Sequence, residues 1–506
     1  MTLAFDQSRV KRHRRAKHPA RGALILFALI LGTLGAYYST APLVVAASGI
    51  ALIAIIALLW GSRFPPILLL PPLYQWTEVA LTPMSTIWLS EPLQSLSMRG
   101  ADLEAAAYYG LMGVVMLALG LRLAMEFGRT TPLLANLLPE CQAHSFRGIS
   151  RAAFILIAMG YFFEASFRFG GPAREFFNSA SGLKSAGIFI LAYWCLSRRQ
   201  NLGVLIAVLS FEIVMGMTGF FAGFKNSILA LILAAIIARP KFGKGGILPV
   251  AGAGFLLIGV AIFWSAIKIE YREFVNQGTG AQVVLVPIGD RVNFIGNAAS
   301  NFTIGDAQRG FELLVVRHGY IDFLAQTMRF VPNGYPHTNG ALTQAVVGHI
   351  AMPRILFSDK PALPSDTEVM ARYTGQSMTW YDNTSVSVGY LAELYVDFGY
   401  LGGLFGMMVI GLIVGAIFRM LAGRRGPSDL LKAGLCVMAS LPLAYFGTAY
   451  VKLIGALVFT SVIALSFQFL APRYLPSLTA LKMARERRRN GQISDIVGIV
   501  DPVEVR

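Results

Sequence analysis

The chain has 506 residues, 55% of them hydrophobic and only 14% charged, with a formal net charge of +16. Soluble domains carry nearer a quarter charged residues, and apolar runs of roughly 17 to 23 residues, enough to cross a bilayer core, recur here. This excludes a soluble enzyme. The runs lack the period-two alternation of barrel strands, so the expected fold is an all-α integral membrane protein of about twelve transmembrane helices. The Lys and Arg excess lies mainly at span ends, where helix orientation requires it, so no nucleic-acid partner is expected.

Residues 1–22 form a basic N-terminus with Arg9, Lys11, Arg12, Arg14, Arg15, Lys17 and Arg21. It reads as a cytoplasmic anchor rather than a cleaved leader, because a long apolar segment and then another span follow. Residues 23–267 hold nine expected spans: 23–39, 43–60, 64–81, 103–124, 152–168, 183–197, 202–221, 226–238 and 246–267. Pro65, Pro66, Pro71 and Pro72 would kink or break the third, with a re-entrant segment as the alternative. The span 226–238 is short. Residues 268–399 form a large segment expected on the periplasmic side. Residues 400–470 hold the spans 400–420, 429–448 and 451–470, and 471–506 is a basic tail expected at the inner leaflet or disordered.

The charges support this topology. With the N-terminus inside, the cytoplasmic ends carry Arg63, Arg129, Arg147, Arg151, Arg198, Arg199, Arg239, Lys241, Lys244, Arg424, Arg425 and Lys432, while the short outer loops carry only Arg99, Arg168, Arg174, Lys184 and Lys225. Both termini are therefore expected in the cytoplasm. Cys141, Cys195 and Cys436 share no metal-ligand spacing, so neither a zinc site nor a disulfide framework is expected.

Within 268–399, amphipathic helical spacing marks 309–330 (Phe311, Leu314, Val315, His318, Ile321, Asp322, Ala325) and 341–356 (Leu342, Ala345, Val346, His349, Ile350, Pro353). Such helices would lie on the membrane surface or cap the spans. The segment also gathers Arg272, Arg291, Arg309, Arg317, Arg329, Arg354, Lys360 and Arg372. Solvated loop arginines account for many of these, but clustered outer cations suit an anionic ligand such as pyrophosphate. Glu164, Arg168, Glu212, Lys225, Glu393 and Asp397 lie in or beside apolar spans, where ionisable groups are functional candidates.

The stretch Pro353-Arg354-Ile355-Leu356-Phe357-Ser358-Asp359-Lys360-Pro361, then Asn383-Thr384-Ser385, then Gly389-Tyr390-Leu391-Ala392-Glu393-Leu394-Tyr395-Val396-Asp397-Phe398-Gly399-Tyr400-Leu401-Gly402 resembles the Wzy-like family of bacterial O-antigen repeat-unit polymerases. Gly219-Phe220-Phe221-Ala222-Gly223-Phe224-Lys225-Asn226 is similar to that family's small-residue-plus-cation turn before a span, with Lys where Arg is frequent. The resemblance covers roughly 200–420. It implies transfer of a glycan from undecaprenyl pyrophosphate to a sugar hydroxyl of another lipid-linked unit, at the outer face of the inner membrane. A chain-length regulator and a flippase would be partners. Pyrophosphate would be held by Arg272, Arg354 and Lys360, with Lys225 behind them, without metal or other cofactor. The base would be His349 or His337, then Glu393. An O-antigen ligase and a polysaccharide flippase are the alternatives. The polar groups crowd to one side, which favours an outer-face enzyme over a flippase.

Overall fold

The computed structural model describes residues 19–60, 66–97, 100–127, 133–134, 136–166, 171–219, 223–238, 247–280, 283–352, 356–357, 359–361, 363–376, 386–424 and 427–474. The described elements are helices, with short 3-10 turns at Pro66–Leu69, Leu93–Leu96, Gly171–Ala173 and Leu441–Ala444. In chain order they are α1 (Pro19–Tyr38), α2 (Pro42–Leu59), α3 (Leu70–Leu89), α4 (Leu103–Glu126), α5 (Leu137–Ala143), α6 (Phe146–Ser166), α7 (Arg174–Ser181), α8 (Leu183–Arg198), α9 (Leu202–Met217), α10 (Phe224–Ala238), α11 (Ile247–Val275), α12 (Ile288–Ser300), α13 (Ile304–His318), α14 (Ile321–Phe330), α15 (Ala341–Ala351), α16 (Asp366–Thr374), α17 (Tyr390–Gly423), α18 (Asp429–Ser440) and α19 (Tyr450–Tyr474).

Among the described residues, eight stretches are long and apolar enough to cross a bilayer: 21–38, 42–59, 103–126, 146–166, 174–198, 254–275, 390–423 and 450–471. They match eight of the twelve expected spans. The other four are shorter or differently built, for local reasons. In 64–81, Pro71 and Pro72 fall in the first turn of α3, where no intrahelical N–H is lost, so they start the helix rather than break it. Gln75 and Glu78 make this helix less apolar. In 202–238, α9 and α10 have only 16 and 15 residues. In 429–448, α18 ends at Ser440 and passes into a 3-10 turn at Leu441–Ala444, which contains Pro442. All twelve residues of α18 are buried, so this short helix lies inside the bundle.

Glycine sets the closest helix contact. A Cβ on Gly120 of α4 would stand 2.1 Å from the Met408 carbonyl oxygen of α17, and one on Gly411 would stand 2.3 Å from that of Leu117. Helices inside a membrane gain contact by such close backbone approach, because lipid offers no hydrophobic drive to associate. α17 itself is bent. Gly399 has φ 70° and ψ −167°, a conformation that costs a side-chain-bearing residue dearly, and it separates Tyr390–Phe398 from the remainder.

The helices α12–α16 belong to the inter-span segment. The expected amphipathic helix 309–330 is two helices, α13 and α14, parted at Gly319 and Tyr320, and the helix expected over 341–356 is α15. α13 packs on α11 and α3, α14 on α4, α16 and α17, and α15 on α17 and α19. Capping boxes start α13 (Thr303 with Asp306) and α16 (Ser365 with Glu368).

Candidate functional site

A polar cluster forms where four elements meet: the middle of α3, the start of α10, the end of α13 and the loop 445–449. Glu78 of α3 is buried, and its Oε2 accepts the Phe446 N–H at 2.6 Å. Its backbone carbonyl accepts the Tyr320 N–H at 3.0 Å. One residue thus ties the 445–449 loop and the α13–α14 junction to α3. Across this junction the Tyr320 hydroxyl donates to the Ser387 carbonyl. The Tyr320 ring fills the space beside Gly447, where a Cβ would approach it to 2.5 Å.

His318 closes the cluster from α13. Thr77 Oγ1 lies 2.8 Å from His318 Nε2 and donates its own proton to the Tyr74 carbonyl at 2.6 Å. A hydroxyl has one proton, so Nε2 must be the donor and Nδ1 carries the lone pair. Burial, and then the charge of Lys225, push the His318 pKa down to about 4. The imidazole is therefore neutral at physiological pH, with an acceptor nitrogen. The Tyr74 ring meets His318 edge-on at 5.2 Å and Tyr445 at 5.4 Å, and the Tyr445 hydroxyl donates to Asn226 Oδ1 at 2.6 Å.

Lys225, the second residue of α10, is exposed and acts electrostatically on both Glu78 and His318. The end of α9 is held in place. The Thr218 carbonyl at the end of α9 accepts the Tyr271 hydroxyl at 2.7 Å and an Arg291 N–H. The cluster thus offers a cation at a helix start, a neutral imidazole, a buried carboxylate and tyrosine rings, grading from buried Glu78 to exposed Lys225 and Asn226. Such a set can bind an anion, stack on a sugar face and accept a proton.

The other residues expected to form the site are dispersed. Glu393 is 4% exposed and its Oε1 accepts the Tyr450 N–H at 2.9 Å, so it caps the start of α19. His337 is half-buried; its Nδ1 donates to the Val396 carbonyl at 3.2 Å, and its Nε2 faces Gly399. Lys360 donates to the carbonyls of His349 and Met352, the latter at 2.8 Å, and so closes the end of α15. His349 is half-buried on α15, and Arg272 is half-buried near the end of α11. Arg354 lies outside the described residues, as do Asn383, Thr384 and Ser385.

The cation expected beside Glu164 was Arg168, which also lies outside the described residues. Glu164 instead pairs with Lys184 at 2.9 Å. Lys184 is in the first turn of α8 and also stands 3.6 Å from Glu212, which accepts from Tyr161 at 2.7 Å and Ser227 at 2.9 Å. This network is satisfied on every side and ties α6, α8, α9 and α10 together.

Of the central cluster, the sequence reading named Lys225 as a binding residue and His318 only as part of an amphipathic face. It missed Glu78, Tyr74 and Tyr445. An acidic residue within the apolar stretch 64–81 was the signal that marks Glu78. Among the described residues, no group of three or more His, Cys, Asp or Glu is placed to hold a metal ion.

Fold and site together define a multi-pass α-helical membrane protein with a polar cluster between α3, α10, α13 and the loop 445–449. Residues 141–424 match the family described as Domain of unknown function (DUF8712), and the chain belongs to that family. No curated protein and no solved structure matches it.

Proposed function

We propose that this protein is a membrane glycosyltransferase that polymerises undecaprenyl-pyrophosphate-linked oligosaccharide units into a surface polysaccharide. It works at the periplasmic face of the bacterial inner membrane, with both termini in the cytoplasm. The observation that carries the reading is the pairing of exposed Lys225, at the start of α10, with neutral His318 in one tyrosine-lined cluster. The resemblance of residues 200–420 to repeat-unit polymerases supports it independently.

In this mechanism the acceptor sugar hydroxyl gives its proton to His318 Nδ1. Its oxygen bonds to the anomeric carbon of the donor as the bond from that carbon to the pyrophosphate oxygen breaks. The lipid pyrophosphate leaves with the electron pair. Lys225 and the positive end of the α10 dipole stabilise the charge it gains. Glu78 does not touch the reacting atoms. It fixes the 445–449 loop and, through Tyr320, the junction that carries His318.

The test is the size-resolved profile of lipid-linked glycans in cells lacking the protein. Single repeat units accumulating on lipid, with long chains lost, support the polymerase. Long chains made but left on the carrier would reassign it as a ligase, and single units held at the inner face as a flippase.

A further inference from the structure

A second site lies at the end of α17 opposite Asp397, between α17 and α19. Arg419, Met420, Gly423, Arg424, Leu465 and Phe469 line a cavity of about 390 Å³ there. Among the described residues the two arginines are its only charged lining, and the rest is apolar or glycine. The Arg424 guanidinium sits over the Phe469 ring, 3.3 Å from its centroid. This holds the charge flat against an apolar wall rather than out in solvent. Arg419 Nη1 donates to the Phe127 carbonyl at 2.6 Å, where α4 has just ended, so its remaining donors are held at a fixed angle. Met420, Phe469 and Leu470 expose about half or more of their surface, at 51%, 68% and 52%. On two membrane-crossing helices, such surface is lipid-facing.

We propose that this groove binds the headgroup of an anionic phospholipid, with its phosphate on Arg419 and Arg424 and an acyl chain along Met420, Leu465 and Phe469. Charge complementarity fixes the occupant. Two guanidiniums at the mouth of an apolar groove, at the end of spanning helices, match a ligand that is anionic at one end and hydrocarbon at the other. A soluble anion would use the arginines but leave the apolar lining unoccupied. The site is far in sequence from Lys225 and His318 and does not depend on the proposed glycosyl transfer.

The test uses the full-length protein in neutral detergent, exposed to equal amounts of phosphatidylglycerol and phosphatidylcholine, with bound lipids counted by native mass spectrometry. The native protein should retain phosphatidylglycerol preferentially. R424Q should lower that retention about five-fold, the scale expected for one basic residue near an anionic surface, and R424K should keep most of it. Arg424 is the better probe because Arg419 also caps α4. R424Q is compared at equal thermal stability to the native protein. Equal retention of the two lipids by the native protein would overturn the proposal. So would unchanged phosphatidylglycerol retention in R424Q, or displacement of the bound lipid by millimolar inorganic phosphate.

Discussion

The Asp397 carboxylate, two residues before the break in α17, accepts the Thr338 hydroxyl at 2.6 Å. The same carboxylate takes the N–H groups of Gly340 at 2.8 Å, Leu342 at 3.1 Å and Thr343 at 2.8 Å. It thus satisfies the orphan donors at the start of α15 from another helix, where a charge also meets the positive end of the helix dipole. Asp397→Ala removes every one of these bonds in a buried place. The expected cost is about 2–3 kcal/mol, read as a lower melting temperature in detergent and faster proteolysis between 331 and 345. Asp397→Asn keeps an acceptor oxygen and should fall between.

His318 carries the clearest functional prediction. His318→Ala should slow chain growth by at least about a hundred-fold, the usual contribution of a positioned base. The protein level should not change. The check is the lipid-linked glycan profile beside an immunoblot. Full-length polymer from this variant would remove His318 from the mechanism. Lys225→Met should also lose long chains, whereas Lys225→Arg should retain them.

Two groups give stability opposite dependences on pH. His318 has its pKa lowered to about 4 in the fold, against about 6.5 unfolded. Between these values the unfolded chain binds more protons, so this term falls as pH falls from 6.5 towards 4. Glu140 is 3% exposed, and burial first pushes its pKa up to about 7, although its Oε2 accepts the Leu430 N–H at 3.0 Å. From its ordinary unfolded value near 4.3 up to 7 the folded chain binds more protons, so this term falls as pH rises. Thermal melts of His318→Gln and Glu140→Gln across pH 4 to 8 should each remove one slope and leave the other.

The α4–α17 contact sets a fourth expectation. Gly411→Val would force side-chain atoms into the Leu117 carbonyl, which a Cβ alone already approaches to 2.3 Å. Overpacking of about 1–3 kcal/mol or more should follow, seen as a lower yield of monodisperse protein in detergent. Gly259→Ala, with nothing within 4 Å of the added Cβ, should be neutral or slightly stabilising.

The spans that emerged as long helices were legible because a bilayer demands length and apolarity together, and both are local properties. The stretch 429–448 reads as one apolar span, yet α18 stops at Ser440. Burial inside protein selects for the same residues as lipid does, so composition does not separate the two. Lys225 was legible because a cation beside a span is costly. The way Tyr74, His318 and Tyr445 converge was not, because they lie far apart in the chain and only the packing of α13 and of the turn Leu441–Ala444 on α3 brings them together. Glu393 and Lys360 show the converse. Both were chosen for their chemistry, and both serve helix ends, a role that depends on a partner distant in sequence or on where a neighbouring helix stops.

The hairpin α9–α10 has a consequence for the lipid around it. With 16 and 15 residues, its helices reach about 24 and 22 Å along their axes, short of a hydrocarbon core about 30 Å thick. A bilayer meeting so short a wall relaxes by thinning. Wherever these two helices meet lipid, the water boundary beside Lys225 would dip below its level elsewhere. On the proposed glycosyl transfer, a lipid-linked substrate would then meet α10 where its charged end has the least hydrocarbon to cross, so that the shape of the solvent rather than a gate in the protein would guide delivery.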